Sequence, residues 1–150
     1  MNKLFNMSSK NTIITGAAGK LGKTISLTLA ELGSNLILVD LLHKDLSALK
    51  VEIQRIYNVD VKIFEVNLEK EIERKQFANL VKKETDCLNC LINNAAFVGT
   101  SNLEGWAVDF EEQSLESWRR ALEVNLTAPF HLSQIFSDVL KKSEDANIIN

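Results

Sequence analysis

Five short apolar runs, each separated from the next by a stretch of helical periodicity, leave this chain few folds to adopt. The runs are residues 12–15, 35–40, 61–66, 88–93 and the start of a fifth at 147–150. Leu36-Ile37-Leu38-Val39 is apolar at every position, as expected of a strand covered on both faces of a parallel sheet. Between the runs, Leu21, Ile25, Leu29 and Leu32 form one helical stripe, with Gly33 placed to end that helix. Leu42, Leu46, Leu49, Ile53 and Ile56 form a second stripe, and Ile72, Phe77, Leu80 and Val81 a weaker third within residues 70–83. Ser114 is placed to cap a long fourth helix running towards Lys141. This alternation predicts an α/β fold, a doubly wound parallel sheet with right-handed crossovers and helices on both faces. At 150 residues it reads as one domain, 1–150.

The first run enters the first helix through T-G-A-A-G-K-L-G, Thr15 to Gly22, which contains three of the six glycines. A strand that turns through glycines into a helix start makes an anion site, because the backbone can approach a phosphate and the helix presents free N–H groups. Two nucleotide readings fit. In the first, A-A-G-K-L-G-K-T from Ala17 to Thr24 is a relaxed phosphate loop with alanine in the first glycine position. Lys23 would then reach the phosphates and Thr24 a magnesium ion, in a nucleotide hydrolase. In the second, Gly16, Gly19 and Gly22 cradle a dinucleotide, and Asp40 ends the second strand eighteen residues beyond Gly22. A carboxylate there accepts hydrogen bonds from ribose hydroxyls and repels a 2′-phosphate, which favours NAD over NADP. The residues after Asp40 are Leu41, Leu42 and His43, with no arginine among them.

Later residues favour the dinucleotide. Asn93-Asn94-Ala95-Ala96 closes the fourth run, setting two amides where strand pairing stops, at the edge of the proposed cleft. Trp118, Leu122, Asn125, Leu132, Phe136 and Val139 follow one helical stripe, and Asn125 is its polar interruption. Pro129, the single proline, lies four residues further on and has no N–H for the Asn125 carbonyl. The freed carbonyl and the amide would both point inward, where they suit an ordered water or a catalytic cation.

Together these residues resemble the short-chain dehydrogenase/reductase family, across the whole chain: T-G-A-A-G-K-L-G, Asp40, Asn67-Leu68 after the third strand, N-N-A-A, and V-N-L-T at residues 124–127. The resemblance implies a Rossmann-like sheet centred on the first and fourth strands. It implies that the turn, with Thr15, Gly16, Ala18, Gly19, Lys20, Leu21 and Gly22, holds the pyrophosphate of NAD and that Asp40 holds the ribose. Asn67 and Leu68 would flank the adenine, and Asn93, Asn94 and Ala95 would line the cofactor cleft. Asn125 would belong to the catalytic group, its carbonyl holding a water that connects to an active-site lysine. The stretch from Glu104 to Phe130 looks like the branch of the family associated with surface-glycan or flagellin modification. This chain departs from the family in having Lys20 at the usual middle glycine and Gly19 one position earlier. Asn67 stands for a frequent aspartate and Ala96 for a frequent glycine.

Family chemistry also needs a serine after strand five and a Tyr-x-x-x-Lys, the tyrosine acting as general acid/base. The chain stops at Ile148-Ile149-Asn150, and Tyr57, the one tyrosine, has Val61 at the lysine spacing. The expectation is therefore an N-terminal cofactor-binding part of an NAD-dependent oxidoreductase acting on a small alcohol or carbonyl, incomplete at its C-terminus and inactive alone. A non-catalytic NAD-binding or interaction module is the other reading of that truncation.

Other classes find no support. The net charge is -3 and no face is obviously basic, so no nucleic-acid partner is expected. No apolar stretch is long enough for a membrane span, and residues 1–9 are too polar for a signal peptide, which makes the cytoplasm the expected location; Met7 is an alternative start. Cys87 and Cys90 lack a second cysteine pair or nearby histidine, so no metal site is expected and Cys90 reads as a buried strand residue. His43 and His131 have no partners in sequence, and His131 reads as a surface or interface residue. A stripe of Ala121, Val124, Ala128 and Ile135 allows a homodimer or homotetramer through the long helix.

Overall fold

Parallel pairing follows from the buried runs. The structure, a computed structural model, describes residues 5–98 and 103–150; residues 1–4 and 99–102 lie outside the described residues. The order is β1 (Asn11–Thr15), α1 (Lys20–Glu31), β2 (Asn35–Asp40), α2 (His43–Ile56), β3 (Val61–Glu65), α3 (Glu71–Glu84) and β4 (Cys90–Ile92). A 3-10 turn (Phe110–Glu112) then leads to α4 (Leu115–Leu122), a π-helical segment (Glu123–Thr127), α5 (Ala128–Ile135), α6 (Ser137–Leu140) and β5 (Asn147–Ile149). The strands form one Rossmann-like sheet in the order β3-β2-β1-β4-β5, with every neighbouring pair parallel. Residue alternation along each strand feeds two cores. Ile13, Ile37, Val39 and Leu91 pack with Phe77, Leu132 and Phe136 on one face. Ile14, Leu36, Leu38 and Ile92 pack with Leu46, Leu49 and Ile53 on the other.

Two helices depart from their expected faces. In α1 the innermost residues are Gly22, Ser26 and Ala30, while Leu21 is exposed. Small residues win here because the helix start lies against the turn below it: a Cβ at Gly22 would fall 2.1 Å from the Gly16 carbonyl oxygen and 2.8 Å from the Ala17 Cα. The expected long fourth helix is broken into α4, the π segment, α5 and α6. Its start is as read: Ser114 Oγ accepts from the N–H groups of Glu116 and Ser117. The break has its cause in Pro129, which leaves the Asn125 carbonyl without a helical donor, and the Ala128 N–H reaches back five residues to the Glu123 carbonyl. The inserted residue rotates the buried face. Ser117, Ala121, Ala128 and Leu132 lie inside, whereas Trp118 and Leu122 of the expected stripe are exposed. Ala121 and Ala128 are therefore core residues and cannot form the oligomer surface expected of them.

A Gly22→Ala variant is expected to lose roughly 1–3 kcal/mol of stability, the usual cost of overpacking against a backbone that cannot withdraw. A urea titration followed by circular dichroism measures it.

Candidate functional site

The glycine turn, the end of β2, the segment after β3 and the end of β4 converge on a cleft of about 540 Å³. Its lining includes Gly16, Ala18, Gly19, Lys20, Leu21 and Gly22 of the turn, Asp40, Asn67, Leu68, Asn94 and Ala95. The cleft lies beyond the C-terminal ends of β1 and β4, where an open parallel sheet places ligands.

The turn is held rigidly. Gly16 has φ +64°, and a Cβ there would sit 2.8 Å from the Ala95 Cα. Asn94 Nδ2 donates to the carbonyls of Thr15 (3.0 Å) and Gly16 (3.1 Å). Thr15 Oγ1 accepts from the Ala95 N–H at 3.0 Å and donates to the Ile92 carbonyl at 3.3 Å. Thr15 is thus buried behind the cleft as a brace, not a lining residue as the family resemblance implied. Gly19 caps α1 with no side-chain acceptor, so the N–H groups of its first turn face the cleft uncapped. Lys20, the first helical residue, adds a cation at the same place.

Asp40, at the end of β2, is held against the turn. Its Oδ2 accepts from the Ala18 N–H at 2.9 Å and its Oδ1 from the Leu41 N–H at 2.7 Å. Each oxygen keeps a further lone pair for a ligand hydroxyl. Asp45, which sequence reasoning missed, lines the same end; its place in the first turn of α2, five residues after Asp40, was the available signal. The Asn67 side chain folds into a local turn, Oδ1 accepting from the Glu69 N–H at 3.0 Å, a bond an aspartate would make equally well. Glu73 accepts from the Asn67 N–H at 2.7 Å, and Lys70, with that N–H, holds the Glu73 carboxyl below its usual range.

Asn93 and Asn125 lie apart from this cleft. With Asn94, Ala95, Ala96, Pro129 and Asn150, they line a second hollow of about 580 Å³ beside it. Asn93 Nδ2 donates to Asn150 Oδ1 at 2.8 Å, while its own Oδ1 is buried without a partner among the described residues. The Asn125 amide is engaged at both ends, Oδ1 accepting from the Phe97 N–H at 2.6 Å and Nδ2 donating to the Phe97 carbonyl at 3.1 Å. It is exposed, and its amide ties the π segment to the loop after β4 rather than pointing into the core for a water or cation. Phe97 is in turn clasped between Trp106, at 5.0 Å between ring centroids, and the Arg120 guanidinium, 5.1 Å from its ring. These contacts join segments far apart in sequence and left no periodic trace.

The phosphate-loop reading does not survive. Lys23 is paired with Glu52 of α2 at 2.7 Å, and neither Lys23 nor Thr24 lines the cleft. Thr24 Oγ1 bonds back to the Lys20 carbonyl. His131, read as a surface or interface residue, is half-buried, and its Nδ1 accepts from Arg74 Nε at 3.0 Å. Cys90 is buried in β4, and burial pushes its thiol up. Among the described residues, no helix is long and apolar enough to cross a membrane.

Residues 10–150 match the family described as short chain dehydrogenase. The chain is similar to the short chain dehydrogenase/reductase dpfgG of Gibberella zeae, at 31% identity over 99% of this chain and 53% of the relative. It is also similar to a very-long-chain 3-oxoacyl-CoA reductase of Vanderwaltozyma polyspora, at 31% identity over 87% of this chain and 36% of that one. Among solved structures, a metagenomic short-chain oxidoreductase in complex with NADP superposes with a TM-score of 0.85 at 23% identity, over 96% of this chain and 61% of that one. The Pseudomonas aeruginosa RhlG/NADP active-site complex superposes at 0.87 with 20% identity, over 100% of this chain and 57% of that one. The chain spans about half the length of the relatives it matches.

Burial, with the Arg74 charge beside it, holds His131 below its ordinary range. As pH falls below about 6.5 the unfolded chain takes up this proton first, so folding stability falls with it. The melting temperature is expected to drop from pH 7 to pH 5.5, before the paired carboxylates titrate, and the slope to flatten in His131→Gln.

Proposed function

We propose that this chain, which belongs to the short-chain dehydrogenase family, forms the cofactor-binding part of an NAD-dependent oxidoreductase. The complete enzyme moves a hydride between nicotinamide and an alcohol or carbonyl carbon of a small molecule. One observation carries the reading: an uncapped helix start, backed by Gly16 and Gly22 where no side chain fits, faces a cleft that Asp40 also lines. Free N–H groups and the Lys20 charge suit a diphosphate, and a carboxylate suits a ribose diol. Leu68, Val66 and Ala95 offer apolar walls for the adenine and the dinucleotide spine. Bound nicotinamide supplies or accepts the hydride. The chain's own part is to hold the dinucleotide in a fixed place and to brace the turn through Asn94.

NAD is preferred over NADP on this chain's own residues. Asp40 and Asp45 both line the ribose end, and a 2′-phosphate there would meet two carboxylates. The two solved neighbours described above carry NADP, so the choice is open to direct test. The family's catalytic serine, tyrosine and lysine have no counterparts here: Tyr57 is the single tyrosine, with Val61 at the lysine spacing. We therefore read residues 1–150 as one domain that binds cofactor but does not by itself turn over substrate. A cytoplasmic location suits a nicotinamide enzyme. Self-association, if it uses this region, would use the exposed residues Leu115, Trp118, Leu122, Leu126 and Phe130, which share one helical face.

In calorimetric titrations the chain is expected to bind NADH more tightly than NADPH. Asp40→Asn keeps an acceptor for the Ala18 N–H but removes the charge, and should shift that preference towards NADPH by roughly ten-fold or more. An unchanged ratio would remove Asp40 from the assignment. Secondary alcohols with NAD should give no absorbance change at 340 nm, and measurable turnover by this chain would contradict the account.

A further inference from the structure

Arg74 lies on the same face of α3 as Phe77, Ala78 and Val81, and it is 2% exposed. A guanidinium in that position loses hydration, and three segments compensate it. Nη1 donates to the Leu68 carbonyl, Nη2 pairs with Glu123 at 2.8 Å, and Nε donates to His131 Nδ1 at 3.0 Å. Leu68 is part of the cleft wall. Glu123 opens the π segment, whose next residue, Val124, lines the same cleft and whose Asn125 lines the second hollow. A second arginine ties the residue next to Leu68 to the helix before the π segment: Arg120 of α4 grips Glu69 with two bonds, 2.9 Å and 3.0 Å. Net stability does not explain such an arrangement, since buried ion pairs are often replaceable by apolar residues of similar volume.

We propose that Arg74 is a positioning residue for the nucleotide cleft, fixing the Leu68 wall in register with the π segment that carries Val124 and Asn125. The inference rests on the nucleotide reading above. It makes the register depend on a neutral His131, because only neutral imidazole can accept from Nε. The charged groups facing His131 are Arg74, Glu71 and Lys75 of α3 and Glu123 of the π segment. Acidification puts a proton against the guanidinium and removes the acceptor, so the wall loosens as pH falls.

The test uses the full chain with NADH and ADP-ribose as probes, together with amide hydrogen exchange. Arg74→Met should weaken both ligands by about five-fold or more. It should also flatten the fall of affinity between pH 7 and pH 5.5, and speed exchange at residues 66–69 and 123–127 together. Unchanged affinity, or faster exchange confined to α3, overturns the proposal. Should Arg74→Met fail to fold, Arg74→Lys, which keeps the charge but cannot make three directed bonds, is expected to give the same pattern in smaller measure; wild-type affinity and exchange in that variant overturn it. If the wild-type chain binds neither NADH nor NADPH, the nucleotide reading fails. The exchange of residues 123–127 in the variant still decides whether Arg74 sets the register.

Discussion

An added carbon at Gly22 would lie 2.1 Å from the Gly16 carbonyl oxygen, and one at Gly16 would lie 2.8 Å from the Ala95 Cα. These two close approaches fix the turn between α1 beneath it and the end of β4 beside it. The left-handed φ of Gly16 bends the chain sharply enough for the helix to start pointing at the cleft. Asn94 holds the bend by its two bonds to Thr15 and Gly16. Once the turn is held, the first N–H groups of α1 face the cleft, and Asp40, one residue past the β1–β2 ladder, lines it beside them through its bond to the Ala18 N–H. Removing either close approach would move the helix start and the anion site together.

Much of this was legible in the sequence because it is local. The uninterrupted apolar run in β2 placed that strand at its observed bounds, and the glycine spacing with Asp40 located the cleft. Lost to sequence reasoning was what depends on contacts between distant segments. Asn125 was singled out beside Pro129 as an inward-pointing amide, but its amide binds the Phe97 backbone, which no periodicity reveals. The π segment puts the two halves of that stripe out of phase: Leu132, Phe136 and Val139 are buried as expected, whereas Trp118 and Leu122 face outward and Ala121 inward. Arg74 was hidden for another reason: a charged residue in a charged helix reads as solvated. Its spacing of three, four and seven residues from Phe77, Ala78 and Val81 was the available signal that it shares their buried face.

The family membership and the chain's own departures from the family pattern carry different information. The match over residues 10–150 accounts for the parallel sheet and the glycine turn. The details of the site are read from this chain's own contacts: Lys20 at the first helical position, Asp40 and Asp45 lining the same cleft, and the two arginines joining residues 68–69 to 120–123. A cation at a helix start is unfavourable by itself, by about 0.3–1 kcal/mol, unless an anion shares the space. Lys23, one turn further on, has Glu52 as its partner, whereas Lys20 has none among the described residues. That contrast supports an anionic ligand at the cleft.

The proposed function requires that the cleft lined by the glycine turn and Asp40 hold one nicotinamide dinucleotide. It is tested most directly by mapping backbone amide chemical shifts of the labelled chain during titration with NADH. Perturbations are expected to concentrate at residues 18–22, 40–42, 67–68 and 94–96, with Lys23 and Glu52 little changed. Perturbations centred on Lys23, Thr24 and Glu52, or dispersed over the surface without saturation, would contradict it.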